Sequence, residues 1–251
     1  ILNFSNLSEQ TFSIIRNDEL YNNLKKNLIH DKFVKFKKNR NYKKIIKENY
    51  NLIINCDLNN QITKKFFSKT IKKNYYSYAY TTIISHKKLI KNDTASQIFT
   101  KNGPIAFLPI SKTQTSVVYS LKTKFSKNMD DIKRLIYKFN PNYDIIKIGT
   151  ISKVGLNSSN LRNYYKDNIL AFGDLLHKVH PLAGQGFNMS IRDIRKLLEL
   201  MENRINLGLD LDKSICIEFQ KEVKVKNYIF SSGIDLIYEF FNFESKVKSE
   251  F

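Results

Sequence analysis

The chain has 251 residues, a net charge of +19 from 42 Lys and Arg against 23 Asp and Glu, and a hydrophobic content of 42%. This much apolar material is enough for a packed core and excludes a disordered tail. The length fits one large domain or two small ones, and no apolar run approaches the roughly 20 residues that a transmembrane helix needs. Cys56 and Cys216 lie far apart and form no CxxC pair, which favours a reducing, cytoplasmic setting.

The positive charge has two interpretations. Lys, Asn and Ile are abundant while Gly, Pro and Trp are scarce, which is the composition that an AT-rich genome produces without any functional demand. The alternative is attraction to a polyanion or to an anionic membrane surface. No zinc finger, RNP-like motif or helix-turn-helix signature is present, so no nucleic-acid partner is predicted.

The first elements follow from apolar spacing. Ile15, Leu20, Leu24 and Leu28 predict a helix within residues 14–28. The lysine-rich stretch 31–48 predicts short strands joined by turns. The apolar run 51–56 predicts a strand that ends at a turn beginning with Asp57.

The middle of the chain is typical of an antiparallel sheet. Tyr- and Thr-rich or alternating segments separated by turn signals predict three or four strands, at 75–84, 96–100, 104–110 and 115–121. A helix is expected at 127–139 and a further strand at 143–154.

The last third mixes strand and helix. Residues 169–172 predict a strand, and the helix after residue 184 is expected to turn Ile191, Ile194, Leu198 and Met201 towards the core. The tail from 211 to 247 predicts two helices. The whole pattern predicts an α/β or α+β fold.

One segment concentrates chemistry, the sequence GDLLHKVHPLAGQGFN at 173–188. A metal site using Asp174, His177 and His180 is disfavoured because Pro181 opposes a helical His180 and the Glu of an HExxH motif is absent, so no metal is predicted. Nucleophilic hydrolysis is disfavoured because no Ser occupies a GxSxG elbow. A plain strand-to-helix turn that needs glycine remains an alternative.

A cofactor site explains more of the same residues. Asp174 follows a strand, where its carboxylate can accept hydrogen bonds from sugar-like hydroxyls. Gly184 and Gly186 bracket Gln185 at the start of a helix, so backbone can approach a flat ligand and unpaired N–H groups can face a partly negative atom. The N1–C2=O edge of a flavin is such an atom.

This segment, with Arg192-Asp193 in the following helix, resembles the second FAD motif of the flavoprotein aromatic hydroxylases. It is most similar to those of ubiquinone biosynthesis, which act on 2-polyprenyl phenols and include 2-octaprenyl-6-methoxyphenol hydroxylase. GPIAFLPI at 103–110 is similar to that family's substrate-domain strands, and NLIINCD at 51–57 to its strand ending in Asp-Gly. The stretch 16–20 resembles the opening of a family helix.

The resemblance implies roles for individual residues at the cofactor. Gly173 and Asp174 would lie at the ribityl chain of FAD, with Asp174 bonding a hydroxyl, and Pro181 would lie near the flavin C4a edge. Gly186, Phe187 and Asn188 would present backbone N–H groups to N1 and the C2 carbonyl, while Gly184 and Gln185 shape the loop. Asp57 and Asn17 would make weaker contacts. No catalytic acid or base is identified.

The chain also departs from the family pattern. The Gly-rich G-x-G-x-x-G loop is not in this sequence. Because the chain begins with Ile1 and shows no signal peptide, we expect it to be a piece of a longer protein that lacks its N-terminal βαβ unit. Leu58 replaces the usual glycine after Asp57, and Leu175 and Leu176 replace two usual alanines.

The implied architecture is a Rossmann-like FAD-binding domain of the aromatic-hydroxylase type with an inserted antiparallel substrate-domain sheet and C-terminal helices. Expected boundaries are 1–70 for the remainder of the FAD domain, 71–165 for the sheet, 166–205 for the FAD segment and 206–251 for the helices. The implied enzyme uses FAD, NAD(P)H and O2 to hydroxylate a polyprenylated phenol. The alternatives are another flavoprotein oxidoreductase of the same fold and a non-catalytic fragment that acts only as a basic binding module. Peripheral association with the inner face of a membrane or with a quinone-biosynthesis complex is also expected.

Overall fold

A computed structural model gives the structure of residues 12–38, 41–48, 50–125, 128–181 and 184–250, with side chains described except at 42, 45 and 241–250. The helices are α1 (Asn17–Ile29), α2 (Tyr42–Lys47), α3 (Gln61–Phe66), α4 (Met129–Phe139), α5 (Gln185–Asn206) and α6 (Lys213–Glu250). The strands are β1 (Ile53–Asn55), β2 (Thr70–His86), β3 (Ser96–Thr100), β4 (Gly103–Ser111), β5 (Gln114–Lys122), β6 (Ile145–Ile148), β7 (Ser152–Leu161), β8 (Tyr165–Lys166), β9 (Ile169–Ala171) and β10 (His177–Lys178).

The chain divides into two compact units. The first combines the residues up to Lys38 with Tyr78–Val154, and the second combines Asn39–Ser77 with Gly155–Phe251. Each unit contains a hydrophobic core cluster of its own.

The first unit is built on antiparallel strands in the order β2, β5, β4, β3, with β6 paired to β2. Phe107 of β4 lies opposite Val117 of β5, and both side chains are fully buried. Alternate residues of these strands point into the core, where Ile132 and Ile136 of α4 pack against them. The predicted antiparallel sheet is therefore confirmed, with β3 at the predicted residues.

The second unit contains a small sheet that joins distant parts of the chain. Strand β1 runs parallel to β9, with Ile53 opposite Ile169 and Asn55 opposite Ala171, and β8 pairs antiparallel with β9. Leu170 of β9 and Phe219 of α6 are fully buried in the core cluster that covers this sheet. The predicted mixture of strand–helix units and a separate antiparallel sheet is confirmed.

Two predictions about regular structure were wrong. The stretch 31–48 forms no strand among its described residues. It makes a turn in which Asp31 accepts a hydrogen bond from the backbone of Phe33, and then helix α2, which the Asn41 side chain caps. The predicted single strand at 143–154 is two strands, β6 and β7, which are separated by residues 149–151.

The predicted pair of C-terminal helices was also wrong, because α6 is continuous from Lys213 to Glu250. The Ser231-Ser232-Gly233 stretch does not interrupt it. The Ser231 hydroxyl donates to the carbonyl of Asn227 one turn earlier, at 2.7 Å, which adds a bond along the helix at this point.

The buried face of α5 differs from the predicted one. Its buried residues are Met189, Asp193 and Leu197, whereas Ile191, Ile194 and Leu198 are exposed. Met201 does pack against the core cluster, as predicted.

Candidate functional site

Two carboxylates follow neighbouring parallel strands of the second unit. Asp57 comes two residues after β1, and Asp174 comes three residues after β9. Because β1 and β9 are parallel and in register, both residues emerge at the same edge of the sheet. Carboxyl ends of parallel strands are the usual place for a ligand in α/β sheets, so the structure brings together two of the predicted cofactor residues.

Asp174 is available to a ligand. Gly173 takes a left-handed conformation with φ of 65° and starts a single 3-10 turn, Gly173–Leu175, that turns Asp174 outwards. The Asp174 side chain is exposed, and it has no hydrogen bond or ion pair with the rest of the described chain. Its oxygens can therefore accept hydrogen bonds from a hydroxyl-bearing group without breaking an internal contact.

Asp57 has a different local role. Its Oδ1 accepts a hydrogen bond from the backbone of Asn59 at 2.7 Å, and its carbonyl accepts one from the Thr63 hydroxyl. The carboxylate therefore shapes the turn into α3 while the residue stays exposed. Leu58, in place of the family glycine, is about half exposed and does not prevent this turn.

The first turn of α5 offers unpaired backbone donors. Helices α2, α3 and α4 each begin with an Asn side chain that accepts from the first-turn N–H groups. Helix α5 begins instead after Gly184, which has φ of 64° and no side chain to cap with. The N–H groups of Gly186 and Phe187 have no intrahelical acceptor and lie, with that of Asn188, at the positive end of a long helix.

The other side chains at this helix start leave the backbone accessible. Phe187 and Asn188 are exposed, and Gln185 is half-buried and accepts a 3.4 Å hydrogen bond from Asn188. A Cβ added to Gly186 would come no closer than 3.9 Å to another atom, the Val179 Cγ2. The glycine is therefore not required by packing within the described chain, which is consistent with a close approach by a ligand.

Pro181 precedes this turn and is half-buried, while Leu182 and Ala183 of the predicted motif lie outside the described residues. Next to it, His180 is fully buried. Its ring packs edge-on to Tyr75 at 4.8 Å and at a tilt to Tyr238 at 4.4 Å. Burial lowers the pKa of His180 to about 4, so its imidazole is neutral at neutral pH.

His177 has a partner that the sequence analysis did not identify. Its Nε2 donates to Oδ2 of Asp193 at 2.6 Å, and both side chains are buried. The sequence analysis gave Asp193 no role of its own and named it only in the Arg192-Asp193 part of the motif. Among the described residues, no group of three or more His, Cys, Asp and Glu side chains could hold a metal ion.

Asn17 is the first residue of α1 in the first unit. Its contact with the cofactor stays a prediction.

Comparison with known proteins points to an FAD-binding domain. Residues 108–206 match a family model described as FAD binding domain. The 3-demethoxyubiquinol 3-hydroxylase of Escherichia coli (strain K12) is 28% identical over 161 residues, which are 60% of this chain and 40% of that protein. The mitochondrial ubiquinone biosynthesis monooxygenase COQ6 of Danio rerio is 23% identical over 228 residues, covering 74% of this chain and 47% of that protein.

A solved structure shows the same fold. PqsL, a probable FAD-dependent monooxygenase from Pseudomonas aeruginosa, matches with a TM-score of 0.59 and 17% identity, over 76% of this chain and 56% of its own. The chain therefore shares its fold with PqsL. The predicted resemblance to the hydroxylases of ubiquinone biosynthesis is confirmed, and the chain spans half or less of the length of the two curated relatives.

Proposed function

We propose that this protein is an FAD-dependent monooxygenase that hydroxylates the aromatic ring of a polyprenylated phenol in ubiquinone biosynthesis. The observation that supports this most directly is that Asp174, which is exposed and has no partner among the described residues, lies together with the uncapped start of α5 in a segment matching the FAD binding domain model. By name, one of the two curated relatives above is a 3-hydroxylase of 3-demethoxyubiquinol and the other is a monooxygenase of ubiquinone biosynthesis.

The residues present fit the proposed cofactor. Asp174 would accept a hydrogen bond from a ribityl hydroxyl, with Asp57 at the same sheet edge. The backbone N–H groups of Gly186, Phe187 and Asn188 would donate to the N1–C2=O edge, and the dipole of α5 would favour the negative charge of the reduced ring. Pro181 would line the C4a side.

Bound FAD would supply the redox chemistry, in which NAD(P)H, a proton, O2 and the phenol give NAD(P)+, water and the hydroxylated ring. One oxygen atom of O2 enters the ring and the other leaves as water, so the reaction balances. The part of this chain is to hold the flavin oriented and dry. The phenol itself is electron-rich, so the proposal needs no separate acid or base among the described residues.

We also propose that the protein works at an anionic membrane surface, where a polyprenylated substrate is concentrated. None of the described helices is long and apolar enough to cross a membrane. Helix α6 nevertheless exposes Val225, Ile229, Leu236 and Phe240, which helical spacing places on one side. Lysines 221, 224 and 226 lie in the same stretch, and an apolar stripe with nearby lysines is typical of interfacial helices.

The proposed activity is tested with the purified protein, its flavin content and a prenylated phenol. We expect FAD in near-stoichiometric amount, and NADH- or NADPH-dependent formation of a ring-hydroxylated product that takes one atom from labelled O2. A protein that binds no flavin, or one that oxidises NAD(P)H while labelled oxygen never enters the ring, would contradict the proposal. The variant Asp174→Asn tests the part of Asp174 in FAD binding, and we expect it to bind FAD more weakly than the unmutated protein.

A further inference from the structure

A buried polar network links three elements of the second unit. His177 belongs to β10, Asp193 to α5 and Asn227 to α6. The exposed fractions of these three residues are 1%, 1% and 0%. The Asp193 carboxylate accepts from Nε2 of His177 at 2.6 Å and from Nδ2 of Asn227 at 3.1 Å on each oxygen.

The amide of Asn227 is held at both ends. While its nitrogen donates to Asp193, its oxygen accepts from Nη2 of Arg192 at 2.9 Å. The Arg192 guanidinium lies 4.8 Å over the ring of Phe230, which fixes it in turn. The orientation of the Asp193 carboxylate is therefore set by groups on α6 as well as by His177.

The bond between His177 and Asp193 joins the two ends of one segment. Residues 178–192 lie between the two partners, and they include Pro181, Gly184 and the first turn of α5. Before α5, this segment holds the buried residues Val179 and His180 and a hydrogen bond from the Gly184 N–H to the Pro181 carbonyl at 3.2 Å. The buried bond therefore closes a loop that contains most of the predicted flavin contacts.

The stability of the folded protein does not by itself explain this buried polar network. Nδ1 of His177 is buried and has no hydrogen-bond partner among the described residues, and leaving such an atom unpaired costs free energy. An apolar pair of similar volume would avoid this cost, as replacements of buried ion pairs in other proteins show. Unlike an apolar contact, a hydrogen bond has a fixed length and direction, so the bond between His177 and Asp193 sets the positions of both ends of the segment 178–192.

We infer that His177 and Asp193 are positioning residues, which hold the loop and the α5 start in the arrangement that receives the flavin edge. Neither side chain reaches the surface, so they act through the backbone that they fix. This inference rests on the proposed function, because it assigns the held segment to FAD.

The first test measures the segment without the cofactor. In the apo protein, Asp193→Asn should speed backbone hydrogen exchange in peptides spanning 178–192 about tenfold, because it places an amide donor against the Asn227 donor. His177→Gln should do the same, and the double variant should add little to Asp193→Asn, because both changes remove the bond between His177 and Asp193. Glu199→Gln removes a carboxylate from the exposed side of the same helix and should leave exchange unchanged.

The second test uses the FAD-loaded protein. Asp193→Asn and His177→Gln should each weaken FAD binding about tenfold. Loss of a tenfold preference for the reduced flavin would also shift the two-electron midpoint potential by about 30 mV to more negative values. A change that only lowered overall stability would leave the potential of the remaining bound flavin unaltered.

The possible outcomes distinguish a failure of the positioning role from a failure of the proposed FAD-dependent function. Exchange that stays unchanged in 178–192, or that rises equally in β4 of the first unit, would overturn the positioning role even if FAD binding fell. If the unmutated protein takes up no FAD, the proposed function fails while the exchange result still decides whether the pair holds the segment. An unchanged midpoint potential in both variants would overturn the link to the flavin.

Discussion

At the scale of single residues, Asp174 is the side chain whose contribution to FAD binding can be measured with least effect on the fold. It is exposed and has no internal partner among the residues with a described structure, so its removal should not disturb the fold. We expect Asp174→Ala to weaken FAD binding ten- to a hundredfold, because a hydrogen bond to a charged group contributes about 1.5–3 kcal/mol. Titration of the apo protein with FAD, followed by flavin fluorescence, measures this change.

The control for Asp174 is Asp210→Ala. Asp210 is also exposed, and it lies beyond the opposite end of α5, a helix of 22 residues. FAD affinity should be unchanged in this variant, and the free energy of unfolding should be unchanged in both. Equal affinities of the Asp174 variant and the unmutated protein would remove Asp174 from the cofactor site.

His180 gives the protein a predictable dependence on pH. Burial lowers its pKa from 6.5 to about 4, so the unfolded chain takes up a proton first as the pH falls. The stability that neutral His180 contributes is therefore present above about pH 6.5 and is lost as the pH falls towards 4. We expect the free energy of unfolding to drop by about 2 kcal/mol between about pH 7.5 and about pH 5 from this group.

His180→Phe keeps a ring between Tyr75 and Tyr238 but cannot titrate. Chemical denaturation at both pH values should show a smaller pH dependence in this variant than in the unmutated protein. His30→Gln changes an exposed histidine at the end of α1 and should leave the dependence as it was. If His180→Phe retained the full pH dependence, another group would be responsible.

At the scale of elements, helix α5 shows where prediction from sequence succeeded and where it could not. The start near Gly184 was predictable, because glycines mark a turn that needs left-handed backbone. The buried face was not, because Ile191, Ile194 and Leu198 are more apolar than Asp193 and periodicity alone favours them. Burial of Asp193 depends on His177 and Asn227, which are distant in sequence and whose approach no local pattern reveals.

Adjacent leucines of α5 test the observed face. Leu197 is 5% exposed within the core cluster, whereas Leu198 is 51% exposed. We expect Leu197→Ala to lower the free energy of unfolding by about 2–5 kcal/mol, since it leaves a cavity. Leu198→Ala removes the same atoms from a largely solvated position and should cost less than about 1 kcal/mol. Equal losses in urea denaturation would show that the predicted face is buried after all.

At the scale of the whole molecule, the antiparallel sheet was predicted well and the parallel pair only in part. Alternation and turn signals are local, so β3, β4 and β5 could be assigned from nearby residues. The pairing of β1 with β9 joins residues more than a hundred positions apart. The two strands themselves were predicted, but it is the pairing that brings Asp57 and Asp174 to one edge.

Charge is the other property of the whole molecule, and it permits a test of the proposed membrane surface. The net charge of +19 predicts binding to vesicles that contain an anionic lipid and weaker binding to neutral ones. Each lysine near the surface contributes about 1 kcal/mol, so replacing Lys221, Lys224 and Lys226 together by Gln should weaken binding about a hundredfold if α6 faces the lipid.

A matched triple variant separates local contact from general attraction. Lys64, Lys65 and Lys69 are exposed lysines of the same unit, and replacing them by Gln removes the same charge away from α6. Co-sedimentation with anionic vesicles should fall strongly for the α6 variant and little for this one. Raising the salt concentration should weaken binding of the unmutated protein, because screening shortens the range of the attraction. Equal losses in the two triple variants would indicate that composition alone gives the attraction, and that α6 is not the contact surface.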